Sequence, residues 1–294
     1  MQRVLITGGN GFIGSHLVKM FLAKSYSVLV ISRSSSSLTG LPIEFISHTS
    51  PGYSQYTDKV RSFAPTVVIH CAWDGGNSYK DSNSTRQISN ISSGGELLDI
   101  VSALPEKPTF IGFGSFSEYG TLAARATETM VDCPLTLYGQ TKSCFKSISR
   151  MVCEQNATRW VWVRPCYIYG PNDVETRLLP SLVRKFRTGE PIVLDACTTI
   201  IDYLHIDDFC KAIDTIIITS STGVFNICSG NEYSVRSVVE EIKAMSSSSS
   251  ELIFDQTRSR IGISSYICGS PERLKSIGWS PAIELSDGLR TLMR

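Results

Sequence analysis

The stretch Arg3–Phe21, RVLITGGNGFIGSHLVKMF, leaves few folds open to the chain. Val4, Leu5 and Ile6 form a short apolar run with the composition of a strand buried on both faces. Thr7–Gly14 then places four glycines in eight positions, and beyond Ser15 the residues Leu17, Met20 and Phe21 recur at helical spacing. Strand, glycine turn and helix at this spacing form the dinucleotide-binding fingerprint, in which the glycines have separate tasks. One makes the tight turn, one lets a pyrophosphate approach the backbone, and one lets helix and strand pack closely. The helix N-terminus offers unpaired N–H groups and a partial positive charge to the phosphates.

A chain of 294 residues suits one large α/β domain, or one with a smaller lobe attached. A net charge of +1 makes no electrostatic case for nucleic acid or an anionic membrane surface. No run approaches 18 apolar residues, and the N-terminus enters a strand without a basic leader. The expectation is a cytoplasmic protein with no membrane partner. Its nine cysteines are scattered, odd in number and without a CxxC pair, which favours neither a disulfide framework nor a metal site.

The second strand reads Ser27–Ser32, SVLVIS, and ends on Arg33 and a serine run to Ser37. NAD-binding versions of this fold place an Asp or Glu here to hold the adenosine ribose. Arg33 would instead attract a 2′-phosphate by charge-assisted hydrogen bonds, with Ser34 and Ser35 adding hydroxyls. NADP(H) is therefore expected, with NAD(H) second. The competing reading of Arg33 is a solvated loop arginine.

Ile43–Ile46 suggests a short third strand and Val67–Ala72 a clear fourth. His70, inside that apolar strand, reads as a packed core residue. Ala72 and Trp73 follow the strand end, where sheets of this kind bind ligands. Gln87–Leu104 reads as a helix, and the strand Thr109–Phe113 delivers Gly114 and Ser115 to the same edge. Tyr138 and Lys142 head a helix running to about Cys153 and share a face at i, i+4. A phenol of pKa near 10 exchanges protons poorly at neutrality. A lysine charge about 4 Å away, at an effective dielectric of 20, is worth roughly 4 kcal/mol. The expectation is a phenol pKa lowered by about three units.

GGNGFIG, GFGSFSEYG, YGQTK, RPCYIYGP, YLHIDD and SIGWSP occur in an order that resembles the extended short-chain dehydrogenase/reductases, the sugar-nucleotide epimerases, dehydratases and reductases. The resemblance runs from Arg3 to the terminal LSDGLRTLM. It implies a doubly wound parallel Rossmann sheet over residues 1–165 and a smaller substrate-binding lobe over 166–294, with segments returning to the main domain. It implies a Ser115, Tyr138, Lys142 triad. Tyr138 exchanges a proton with the sugar oxygen, Ser115 positions that oxygen, and Lys142 tunes the phenol and grips the nicotinamide ribose. Gly8, Gly11, Phe12, Ile13, Arg33, Ser34, Ala72, Lys142 and Pro165 are the implied cofactor residues. Trp73, Phe116, Ser115 and Tyr138 face the substrate by the same resemblance. For Ser115 the competing reading is a plain turn serine. The Ser246–Ser250 run reads as a solvated loop, and Leu285–Met293 as a closing helix.

Three departures narrow the reaction. Dehydratases of the family carry an acidic pair where this chain has Phe116 and Ser117. Epimerases keep tightly bound NAD, whereas Arg33 points to an exchanging NADP(H). Tyr167 and Ile201 stand where the family often has Asn and Arg, leaving Arg177, Arg258 and Arg260 as candidates for the diphosphate. The expected activity is NADPH-dependent reduction of the C4 keto group of a nucleotide-linked 4-keto-6-deoxy sugar. The alternative is an NAD(P)-dependent sugar-nucleotide 4-epimerase; a non-catalytic NADP(H) sensor is opposed by the intact triad. Apolar faces on the helices from Gln87 and Tyr138, together with the family's habit of pairing them, lead to an expected homodimer.

Overall fold

The computed structural model describes residues 2–49, 52–75, 82–258 and 264–293. The chain forms two compact units. The first comprises Met1–Gly120, Val131–Arg164 and Ile213–Phe225, and the second Thr121–Met130, Pro165–Ala212 and Asn226–Arg294.

The first half of the chain alternates strand and helix: β1 (Arg3–Thr7), α1 (Phe12–Ala23), β2 (Ser27–Ser32), β3 (Glu44–Ser47), α2 (Thr57–Phe63), β4 (Val67–His70), α3 (Ser84–Ser102), β5 (Thr109–Phe113), α4 (Leu137–Gln155) and β6 (Arg159–Pro165). The remainder holds β7 (Tyr167–Tyr169), α5 (Leu178–Thr188), β8 (Ile192–Leu194), β9 (Ile200–Ile201), β10 (Tyr203–His205), α6 (Ile206–Ile218), β11 (Gly223–Ile227), β12 (Tyr233–Ser234), α7 (Val235–Ser246), β13 (Leu252–Phe254), β14 (Tyr266–Ile267), α8 (Glu272–Lys275) and α9 (Leu285–Leu292).

The main sheet has seven strands in the order β11-β6-β5-β4-β1-β2-β3, the doubly wound Rossmann arrangement that the resemblance implies. β1 pairs in parallel with β2 on one side and β4 on the other, so the strand order reverses beside β1. Carboxyl ends of strands at such a reversal are where α/β sheets hold their ligands. Here those ends carry the glycine turn and the Ala72–Trp73 pair.

Burial explains the run of apolar residues. Leu5, Val68, Phe110 and Trp162 lie fully inside the sheet's core together with Leu97 and Val101 of α3 and Phe145 of α4. Each such side chain contributes about 1.5–3 kcal/mol relative to exposure. Asn83 caps α3, its side chain accepting from the Arg86 N–H, and Thr136 caps α4 by accepting from the Gly139 N–H at 3.1 Å. Gly94 lets α3 and α4 touch: a Cβ there would stand 2.5 Å from Phe145 Cζ.

The second unit is built from shorter pieces. β7 pairs with β10, β9 lies between β12 and β14, and β8 pairs with β13. Leu179, Leu182, Val238, Val239, Leu285 and Leu289 from α5, α7 and α9 bury a separate core. The DYLHIDD segment supplies two buried carboxylates that tie loops down. Asp202 accepts from Ser229 N, Ser229 Oγ and Gly230 N, each at 2.8 Å. Asp208 accepts from Ala282 N and Ile283 N at 2.8 and 2.7 Å, while its carbonyl accepts from Trp279 Nε1, which accounts for the GWSP turn.

The serine run departs from expectation. Ser246 closes α7, Ser248 Oγ donates to Phe186 O at 2.6 Å, and Ser250 is buried. Ser246 and Ser248 donate their hydroxyls to the Lys243 and Phe186 carbonyls while Ser247 and Ser249 stay exposed, so the segment is packed in part instead of wholly solvated.

Candidate active site

The glycine turn forms as its spacing dictates. Gly8 adopts φ +69°, and a Cβ there would lie 2.9 Å from the Ala72 backbone, so the loop and the end of β4 approach as only glycine permits. A Cβ at Gly14 would stand 2.7 Å from Gly9 Cα, which presses α1 against the turn. Gly11 caps α1 without a side chain, leaving Phe12 and Ile13 to open the helix. First-turn N–H groups with no side-chain cap, beside a backbone free of Cβ atoms, suit a pyrophosphate. The residues present therefore fit a dinucleotide.

Arg33 lies exposed beyond β2, with Nη1 3.4 Å from Asp74 Oδ1. An exposed contact of that length holds the guanidinium weakly. Asn10 of the glycine turn organises the serines beside it: its amide donates to Ser34 Oγ at 2.8 Å and Ser36 Oγ at 3.3 Å, and it accepts from Ser37 N at 2.7 Å. The result is a cation and several hydroxyls at the end of β2.

Ser115, Tyr138 and Lys142 come together in the first unit. β5 delivers Ser115, whose Oγ accepts from Ser117 N at 3.1 Å and lies close enough to Tyr138 to ease its pKa downward. A Cβ at Gly139 would meet Ser117 O at 2.5 Å, so the start of α4 rests on the Ser115 turn. Lys142 Nζ donates to Phe113 O at 2.7 Å, stands 3.7 Å from the centroid of a Trp73 ring and 5.8 Å from that of Tyr138. Trp73 is itself fixed, its Nε1 donating to Gln87 Oε1 at 3.0 Å, and the same oxygen accepts from Thr141 Oγ1.

The electrostatics reverse the expectation for the phenol. Burial pushes Tyr138 up to about 12, eased by Ser115 and reinforced by the Glu118 charge. Burial pulls Lys142 down to about 7, opposed by Glu118. The lysine does not lower the phenol because its ammonium is engaged by the Phe113 carbonyl and the Trp73 face, and because both groups are buried. Desolvation disfavours either charge and outweighs the attraction read from helix spacing.

His70 is a core residue: Nδ1 pairs with Thr7 Oγ1 at 2.8 Å and burial lowers its pKa to about 3. Ala72 N donates to Thr7 Oγ1 at 3.3 Å, and Pro165 ends β6. Phe116 is buried edge-on against Tyr119. In the second unit, Arg177 Nη1 donates to both Asp173 carboxylate oxygens at 2.9 and 3.0 Å and the guanidinium covers the Tyr167 ring, while Arg258 pairs with Asp255 at 3.2 Å. Each of these arginines already answers a carboxylate. Arg260 lies outside the described residues.

Glu118 and Gln87 were not singled out by the sequence reading. Glu118 follows Ser115 at the S-x-x-E interval of a capping box, a signal that was available. Gln87 carried no signal, since Trp73 and Thr141 lie 14 and 54 residues away from it.

A doubly wound sheet, a glycine turn fitted to a dinucleotide and a Ser–Tyr–Lys cluster define a nicotinamide-dependent enzyme of the short-chain dehydrogenase/reductase type. The chain belongs to the NAD dependent epimerase/dehydratase family, whose model matches residues 4–228. It is similar to dTDP-6-deoxy-L-talose 4-dehydrogenase (NAD(+)) of Aggregatibacter actinomycetemcomitans, 24% identical over 83% of this chain and 90% of that protein. It is also similar to GDP-6-deoxy-D-mannose reductase of Pseudomonas aeruginosa, 24% identical over 99% of this chain and 96% of the other. Among solved structures, UDP-glucose 4-epimerase of Thermus thermophilus in complex with NAD superposes with a TM-score of 0.90, at 23% identity over 99% and 98% of the two chains.

Proposed function

We propose that this protein reduces the C4 keto group of a nucleotide-linked 4-keto-6-deoxy sugar with NADPH. The observation that carries the reading is the cluster of Ser115, Tyr138 and Lys142 together with an exposed Arg33, in place of a carboxylate, at the end of β2. Burial pushes the Tyr138 pKa to about 12, so the phenol holds its proton at neutrality. Reduction of a ketone requires a proton donor beside the oxygen as it becomes an alkoxide, and a neutral phenol is the right starting form.

The bound nicotinamide would supply the hydride. Ser115 donates a hydrogen bond to the carbonyl oxygen and aligns it with Tyr138, which passes its proton to that oxygen. Lys142, when charged, favours the phenolate that remains, and a pKa of about 7 lets it regain or lose a proton readily. The turn of Gly8, Gly11, Phe12 and Ile13 would hold the pyrophosphate, with Ala72 and Pro165 along the cofactor. Arg33 and Ser34 would take the 2′-phosphate. Phe116 and Ser117 offer no carboxylate for dehydration. Residues 1–165 are proposed as the cofactor half and 166–294, apart from segments such as Ile213–Phe225 that return to the first unit, as the substrate lobe, where Arg177 and Arg258 remain candidates for the diphosphate. Relatives that reduce keto sugars linked to GDP and dTDP support the substrate class. Exposed Ile88, Ile148 and Met151 on α3 and α4 support a homodimer through those helices. Nine cysteines held as thiols suit a reducing cytoplasm, and among the described residues no helix is long and apolar enough to cross a membrane.

The test is NADPH consumption on a panel of GDP-, dTDP- and CDP-linked 4-keto-6-deoxyhexoses. Turnover of at least one is expected. No NADPH consumption, together with retained NAD and interconversion of UDP-glucose and UDP-galactose, would replace this reading by the epimerase.

A further inference from the structure

The feature that the catalytic groups leave unexplained is a buried ion pair directly behind Ser115. Glu118 and Arg164 are 0% and 1% exposed, with Arg164 Nε donating to Glu118 Oε2 at 2.8 Å. A charged pair in a core contributes little net stability compared with apolar side chains of the same volume, so its presence calls for another account. The pair is not closed on itself. Glu118 Oε1 accepts from Ser115 N at 2.9 Å and from Trp162 Nε1 at 3.1 Å. Its own carbonyl accepts from Cys133 N at 2.9 Å. Arg164 stacks on Tyr119 at 4.2 Å and donates to Asp132, which accepts in turn from Ser143 and Lys146 on α4. Gly114 leaves room for the carboxylate, since a Cβ there would fall within 2.9 Å of Trp162 Cε2 and closer still to Glu118.

We propose that Glu118 is a positioning residue: its carboxylate fixes the Ser115 turn from behind and, through Arg164 and Asp132, braces that turn against the helix that carries Tyr138 and Lys142. The inference rests on the proposed ketone reduction for what the positioned groups do. Ser115 must present Oγ both to the phenol and to a substrate oxygen, and a turn secured only by its own backbone would wander by more than such alignment tolerates. The bracing runs through side chains from three separated segments, Ser115–Glu118, Asp132 and Arg164, onto one face of α4. The carboxylate also adds to the upward push on the Tyr138 pKa.

The experiment compares Glu118→Gln, Ser115→Ala and the double variant on whichever 4-keto sugar the panel turns over. Glu118→Gln keeps the acceptor shape and removes the charge that holds Arg164. The expected result is a kcat lowered about 10- to 100-fold with KM within about twofold, because a charge-assisted bond that orients a reacting group is lost. The alkaline limb of its pH profile should move to lower pH as the charge near Tyr138 disappears. At a pH below the alkaline limb of every variant, the same change in the Ser115→Ala background should cost less than about twofold, since the turn that Glu118 holds acts on the substrate through Ser115. Losses that multiply, or a Glu118→Gln enzyme at the wild-type rate, overturn the proposal. If Glu118→Gln does not fold, Glu118→Gln/Arg164→Met removes both charges and enters the same comparison. If the wild-type protein reduces no sugar in the panel, the reductase reading falls and Glu118 is judged by hydrogen exchange. Glu118→Gln should then speed exchange of the Ser115 and Ser117 amides about tenfold while β1 stays protected, and unchanged rates overturn it.

Discussion

Replacing Lys142 by Met separates the burden of burying an ammonium from its use in catalysis. Burial lowers the lysine from 10.5 to about 7 in the folded protein, whereas the unfolded chain keeps the ordinary value. Between those two values the unfolded state binds more protons than the native state, so wild-type stability rises with pH across that window. Below about pH 7 both states are charged and the penalty is full; above about pH 10.5 both are neutral and it has vanished. At ~1.36 kcal/mol per pH unit the full penalty is about 5 kcal/mol, of which about 2 kcal/mol is relieved between pH 7 and 9. Met at this position titrates nothing. It forfeits the bond to Phe113 O and the contact with Trp73, but those losses are an offset and carry little pH dependence. Urea unfolding of wild type and Lys142→Met at pH 7, 8 and 9 should therefore show the difference moving by about 2 kcal/mol toward wild type. A difference constant to within about 0.5 kcal/mol would mean that Lys142 titrates normally, and the account of a buried, easily neutralised lysine would be refuted.

Gly114→Ala should destabilise the protein by about 3 kcal/mol, because the new methyl overlaps Glu118 and Trp162, both fixed by hydrogen bonds; thermal unfolding should report a midpoint lower by roughly 6–12 °C. Tyr138→Phe should lower kcat by about 10²- to 10⁴-fold with cofactor affinity retained, measured by NADPH turnover and by fluorescence titration. Arg33→Ala should raise the KM for NADPH about 10- to 100-fold and leave that for NADH within about threefold, the contribution of a charge-assisted bond to the 2′-phosphate. Asp208→Ala should cost about 2–4 kcal/mol in chemical denaturation by leaving the Ala282 and Ile283 N–H groups without their carboxylate.

What could be read from the sequence was what is local. The glycine turn involves neighbours in the chain, and its strand and helix follow from apolar spacing within some twenty residues. Ser115, Tyr138 and Lys142 were legible because the family pattern keeps them in order and because i, i+4 fixes a shared helix face. Element ends were less so: α4 starts at Leu137 and α3 at Ser84, each governed by a cap residue just upstream. The sign of the Tyr138 perturbation was not legible at all. Spacing gives the proximity of two groups, but desolvation depends on Trp73, Phe113 and everything else closed around them. Glu118 found Arg164 across 46 residues and Arg164 found Asp132 across 32, pairings that no local pattern specifies. The serine run packed for the same reason, since Ser248 bonds to Phe186 O of α5 as well as to Ser250 in its own run.

The Gly94–Phe145 contact has an evolutionary corollary. With the ring of one helix seated on the bare backbone of the other, the spacing of α3 and α4 is set on their inner sides. Residues such as Ile88, Ile148 and Met151 face outward and are exposed. Those positions can mutate toward new assembly partners, or toward none, while the chemistry beneath them is inherited intact.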